Sequence, residues 1–302
     1  LDTVRCTCKS CLSHQYLGGK AFRLVVKDGI QKQKLFLGTI GNDFKMQVED
    51  DAKEIFKRIR DCKGIDDCPG KSSPCPIVLA PKGEKVKIMV ITEQPGKKTW
   101  ENMEEKLGIP EPEIRELCTS NREELYERFR EYVEREKGGA LGELKKYLGD
   151  EFTNSIKHGG EKYYWTHFIK CPGQIREIRG NEKKEVCANT YLLEEIFALR
   201  PELILSFGRS ASEWILRHSS LDKKNWRDYV KEEENRVEKG DFKAQKMEER
   251  LYEIAKETCI EAEDGKERKK HKTKVCFFFH PSGANPDRRT NRKIFDALWG
   301  RR

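Results

Sequence analysis

Two groups of residues in this chain have types and spacing suited to chemistry. Cys171 and Cys187 bracket a polar loop, and Cys62 and Cys68 form a second pair far upstream. Four thiolates drawn from two distant parts of a chain suit a structural metal or an iron–sulfur cluster that ties the ends of a core together. Cys75 lies near enough to compete for a place in that set. The second group is a carboxylate and an imidazole: Glu93 in Thr92-Glu93-Gln94-Pro95-Gly96, and His280 in His280-Pro281-Ser282-Gly283-Ala284-Asn285-Pro286. Brought into one cleft, they would act as an acid/base or electrostatic pair. Arg288, Arg289 and Arg292 follow closely and suit either a phosphate backbone or plain surface charge. Cys6, Cys8 and Cys11, with His14, form a compact C-x-C-x2-C-x2-H set of zinc-ligand types.

The elements that must position these residues can be read from hydrophobic period. Lys87 to Thr92 is a short continuous apolar run, the signature of a strand buried on both faces. Tyr163 to Lys170, Glu202 to Phe207 and Lys274 to Phe279 are further strand candidates, with helices expected at Ala188 to Leu199 and Ser210 to Arg217. Asp50 to Cys62 has a helical period, with Ala52, Ile55, Phe56 and Ile59 on one face. Strands alternating with helices argue for a parallel sheet flanked by helices. Ligands sit at the carboxyl ends of the strands of such a sheet, which is where Glu93 and His280 fall.

Two charged excursions interrupt this core. One covers about 97–160 and is mostly helical, Arg122 to Arg135 most clearly; the other covers about 219–272, with a helix expected near Ala244 to Thr258. Residues 1–49 read as a Cys-containing appendage with a hairpin through Lys27-Asp28-Gly29, and 50–302 as one α/β domain.

Composition agrees with one core and long solvated excursions: 36% of the 302 residues are hydrophobic and 37% charged. No apolar run approaches the roughly 20 residues of a spanning helix, and Leu1-Asp2-Thr3 opens no signal peptide, so a cytoplasmic protein without membrane contact is expected. In a reducing cytosol ligation is favoured for the eleven cysteines, although the Lys/Glu richness is also that of thermophiles, where disulfides occur. Net charge is +8, and the stretch Asp264 to Arg302 holds twelve Lys/Arg against four Asp/Glu. That local field fits a polyanion such as nucleic acid, or a solvated face.

The same residues carry a family resemblance. Pro76 to Gly96, ending in Thr92-Glu93-Gln94-Pro95-Gly96, resembles the strand and G-E-x-P-G turn of the iron–sulfur (family 4) uracil-DNA glycosylases. Tyr164-Trp165-Thr166-His167-Phe168-Ile169-Lys170-Cys171 resembles that family's Y-I-T-N-x-x-K-C, and Cys187 stands where its last cluster cysteine is expected. Ala188 to Leu216 is similar to the helix-strand-helix that follows, and His280-Pro281-Ser282 to the H-P-S or H-P-A motif of the superfamily. The resemblance does not reach residues 1–49, 97–160 or 219–272. It implies a three-layer uracil-DNA glycosylase-like fold, DNA as partner, a nucleoid-associated monomer, and a 4Fe-4S cluster on Cys62, Cys68, Cys171 and Cys187. It further implies Glu93 and His280 as catalytic groups, and His167, Gln94 and Trp100 against the base. Ser282 and Asn285 would lie in the wedge loop, and Arg288, Arg289 and Arg292 on the DNA backbone.

Several residues depart from the family pattern. His167 replaces the Asn whose amide reads uracil, and one ring cannot present an adjacent donor and acceptor as an amide does. Thr92 replaces a Gly, Ile65 stands where the partner of Cys68 is usual, and Ser282-Gly283-Ala284 holds no large apolar wedge. A DNA glycosylase acting on a deaminated base and an altered, inactive nucleic-acid-binding protein on the same fold are both expected from this pattern.

Overall fold

Two of the strands are so nearly continuous in apolar residues that each must be covered on both faces, and a third, rich in aromatic residues, is buried with them. In the computed structural model β1 (Ile88–Thr92), β2 (Tyr163–His167) and β3 (Leu203–Phe207) are buried at every position. Residues 52–66, 68, 75–82, 85–173, 181–240, 242–264, 267–282 and 287–301 are described, and all belong to one compact unit, Gln47–Arg302. The expected appendage at 1–49, with its zinc-ligand set at Cys6, Cys8 and Cys11, lies outside the described residues.

A helix covers 52–60 (α1) and leads through Cys62 and Cys68 to β1. Five helices separate β1 from β2: α2 (Thr99–Leu107), α3 (Glu111–Ser120), α4 (Arg122–Arg135), α5 (Gly139–Leu148) and α6 (Asp150–His158). After β2 come α7 (Asn181–Cys187), a π-helical turn (Ala188–Leu192) and α8 (Leu193–Leu199), then β3 and α9 (Arg209–Arg217). Next are α10 (Trp226–Lys239), α11 (Met247–Ile254), β4 (Lys256–Asp264), β5 (Glu267–Phe278) and α12 (Arg288–Leu298).

The sheet order is β2-β1-β3-β5-β4, with every pairing parallel except β4 against β5. The parallel, helix-flanked core is the fold class expected from the sequence. The second excursion differs from its expected form, because the chain leaves the helix at Ala255 and Lys256–Asp264 runs as an antiparallel edge strand. Thr258 and Ile260 alternate inward there, a two-residue period that the Lys/Glu-rich helical pattern upstream masks. The strand expected at Lys274 to Phe279 is the carboxyl half of the longer β5. Among the described residues no helix is long and apolar enough to cross a membrane.

Charge is also buried beneath the strand ends. The Lys170 ammonium meets Glu195 Oε2 at 2.5 Å, and both side chains are essentially inaccessible. Glu195 accepts from the Tyr164 hydroxyl at 2.6 Å and from Thr166, and Lys170 donates to Thr166 Oγ1 and His167 O. Such a pair tolerates burial only because its remaining hydrogen-bonding capacity is satisfied.

Candidate active site

Register brings the carboxyl ends of four parallel strands to one edge. Thr92 lies opposite His167, Ile91 opposite Ser206, and Phe207 opposite Phe278. The loops stay paired past the strands: Ile169 N–H donates to Glu93 O at 2.9 Å and Gly208 N–H to Phe278 O at 2.9 Å. A cavity of about 300 Å³ opens at this edge, and His167, His280 and Gln94 are among its lining residues.

His280 is held in a defined state. Asn291 is fully buried on α12, its Oδ1 accepting Phe279 N–H at 2.9 Å while its Nδ2 donates to Phe279 O at 2.7 Å, so the amide pins the helix to the end of β5. One residue on, His280 Nδ1 accepts the Ser282 N–H at 3.2 Å. The neutral ring therefore carries its proton on Nε2 and is a donor there. His167 is buried, and its Nδ1 has no hydrogen-bond partner among the described residues. Burial, then the positive charge of Lys170 and the nearness of His280, hold its pKa well below the usual histidine value. It is a neutral ring with one donor and one acceptor.

Glu93 takes a different direction. Its Oε1 accepts the Ser210 N–H at 2.9 Å, at the N-terminus of α9, and it is absent from the residues lining the cavity. Gly208 makes that approach possible: a Cβ there would meet Glu93 Cγ at 2.6 Å, and its φ of +98° suits glycine.

The aromatic wall comes from residues that sequence reasoning missed. Trp100 is buried and does not line the cavity; Trp165, Phe129 and Tyr132 do. Trp165 stacks on Phe129 with centroids 6.2 Å apart and leans on His167 at 4.8 Å. Thr92 Oγ1 accepts the Trp165 indole N–H at 3.1 Å, which gives the Gly-to-Thr departure a structural role. Strand period was a usable signal for Trp165, two residues from His167 and so on its face. Phe129 and Tyr132 share a face of α4, but nothing local indicates that this face meets the sheet edge. Gln94 Nε2 donates to Cys171 O at 2.9 Å, which fixes its Oε1 as an acceptor, and that oxygen is buried without a partner among the described residues.

Cys75 is removed from the candidate metal ligands by a disulfide to Cys118 on α3, with Cα atoms 5.4 Å apart. Cys62, Cys68, Cys171 and Cys187 remain free thiols, the last three buried. They lie near enough to act on one another: Cys68 and Cys62 raise the Cys171 pKa, and Cys68 raises that of Cys187. Main-chain N–H groups reach the sulfurs, Gly64 to Cys62 and Lys170 to Cys187, each at 3.4 Å. Burial pushes the Cys171 thiol up to about 12, so it would ionise only against a compensating positive centre. Among the described residues no three ligand side chains are set for a single ion.

Arg288, Arg289 and Arg292 lie in the first turns of α12, and Arg292 pairs with Glu143 at 3.2 Å while remaining mostly exposed. Ser282 is partly buried and does not line the cavity; Asn285 is outside the described residues.

A family model described as Uracil DNA glycosylase superfamily matches residues 81–301. No curated protein matches the chain.

Proposed function

Because the chain belongs to the uracil DNA glycosylase superfamily, we propose that it is a DNA-repair glycosylase that hydrolyses the N-glycosidic bond of a deaminated base, uracil or a related lesion. The observation that best supports this reading is the meeting of His280, His167 and three aromatic side chains in one cavity at the sheet's carboxyl edge. A base flipped from the stack needs an aromatic surface for its face and polar groups for its edge. Trp165 and Phe129 offer the first, His167 and Gln94 the second.

As the glycosidic bond breaks, its electron pair passes to the base and positive charge grows on the sugar. The Nε2–H of His280 donates to the base oxygen on which the negative charge settles, and a donor aimed there lowers the barrier. Glu93, by holding the β1 loop to α9, keeps the cavity floor in register with the His280 loop. Ser282, Asn285, Arg288, Arg289 and Arg292 would contact the DNA backbone.

Cys62, Cys68, Cys171 and Cys187 would hold a 4Fe-4S cluster, whose contribution is structural: joining the segment after α1 to the loop after β2, beside the cavity. That Cys62, Cys68, Cys171 and Cys187 all stay outside disulfides supports this assignment.

A second reading draws on two observations, the engaged carboxylate of Glu93 and His167 in place of an amide reader. On it, the protein binds nucleic acid without excising a base. Incubation with oligonucleotides carrying uracil, hypoxanthine or xanthine, followed by alkaline cleavage of abasic sites, separates the two. Product from the wild type and none from His280→Ala supports the enzyme; DNA binding with no product from any base leaves the second reading. Protein purified without oxygen should be brown and contain iron, and Cys187→Ser should lose both.

A further inference from the structure

We infer that Glu136, on the segment between β1 and β2, is the carboxylate that activates the hydrolytic water. This rests on the glycosylase reading and adds a residue to it that the family resemblance does not cover.

Releasing a base leaves a cationic sugar, and water must attack C1′ while losing a proton. A carboxylate in the cavity is the group suited to take it. Glu93 is turned to the Ser210 N–H and does not line the cavity. Among the described lining residues two carboxylates remain, Glu105 and Glu136. Glu105 is exposed and paired with Lys106 at 2.6 Å. Glu136 is 7% exposed, and it shares the cavity wall with His167, His280 and Trp165.

Local structure explains how it gets there. At Glu136 the backbone leaves α4 in an extended conformation, φ −69° and ψ 123°, and turns toward Gly138 at the head of α5. The Glu136 C=O is held by the Lys145 ammonium at 2.7 Å, which fixes the turn. Oε1 accepts the Gly138 N–H at 2.5 Å, and the carboxylate lies near the Tyr132 hydroxyl, whose pKa it helps to raise after burial. One oxygen is thus committed to the turn, and the carboxylate is oriented before any substrate arrives. Lys106 faces it from α2.

The step balances with water as the only co-reactant. The water oxygen forms a bond to C1′, and the C1′–N bond breaks with its electron pair leaving on the base. The water proton passes to Glu136, and the base anion, held by the Nε2–H of His280, is later protonated from Glu136 or solvent.

Glu136→Gln in the full chain tests this, because the Gln oxygen still accepts the Gly138 N–H and the fold should melt as the wild type does. The expected result is a fall in kcat of about 100-fold or more, with KM and affinity for an abasic-site oligonucleotide unchanged. Glu136→Ala should be equally slow and partly restored by added formate, which a turn-stabilising role would not produce. If the wild type excises a base and Glu136→Gln keeps kcat within about threefold, the role of Glu136 is wrong and the glycosylase reading stands. If the wild type excises no base, that reading fails and the role fails with it.

Discussion

Glu93 Oε1 accepts the backbone N–H of Ser210 at 2.9 Å, so the carboxylate that ends β1 caps the helix that follows β3. A negative charge is stabilising at a helix N-terminus, and here it joins two loops of the cavity edge that are 117 residues apart in sequence. The contact exists only because Gly208 has no side chain.

Gly208→Ala should therefore be costly on two counts. Its φ of +98° is unfavourable for any L-residue, and the new Cβ would meet Glu93 Cγ at 2.6 Å. A loss of about 2–3 kcal/mol of unfolding free energy is expected, against about 1 kcal/mol or less for Glu93→Gln, which keeps an acceptor for Ser210. Urea denaturation of the two variants measures this, and a Gly208→Ala protein as stable as wild type would show that the turn relaxes freely.

Lys170 and Glu195 form an ion pair with both side chains inaccessible. Lys170→Met leaves the Glu195 carboxylate buried and uncompensated, and should cost about 3–5 kcal/mol. Adding Glu195→Gln removes the stranded charge while keeping acceptors for Tyr164 and Thr166, so the double variant should recover at least half of that loss. A strictly additive pair in thermal or chemical unfolding would contradict the coupling.

His167 ties stability to pH. Its folded pKa is held well below the ordinary histidine value by burial, with Lys170 and His280 adding to the effect. Below pH about 6.5 the unfolded chain binds this proton while the native protein does not. Stability should thus be full above that pH and decline as pH falls through the window between the unfolded and folded pKa, by up to about 1.4 kcal/mol per unit. His167→Asn should flatten the dependence of Tm on pH between 7 and 5; an unchanged slope would assign it to other groups.

Much of the architecture was legible from local pattern. Ile88 to Thr92 and Leu203 to Phe207 are apolar at nearly every position because both faces are covered, and that run length is a property of the chain itself. Arg122–Arg135 was readable as a helix to the residue. The edge strand Lys256–Asp264 was not, because its pairing partner lies across a hairpin and its charged residues follow a helical pattern.

The sequence by itself determined the parallel core, the two histidines at strand ends and the four cysteines as the thiols to watch, since each rests on residue type and short-range period. Tertiary structure alone decided which carboxylate reaches the cavity. Glu93 and Glu136 both follow regular elements, but the direction of a side chain at a turn depends on the distant groups that bind it. For Glu93 that group is the Ser210 N–H; for Glu136 it is a turn that folds over the sheet edge. In the same way Cys75 left the ligand set once Cys118 was brought beside it, a proximity set by packing of α3 that no spacing within the chain expresses.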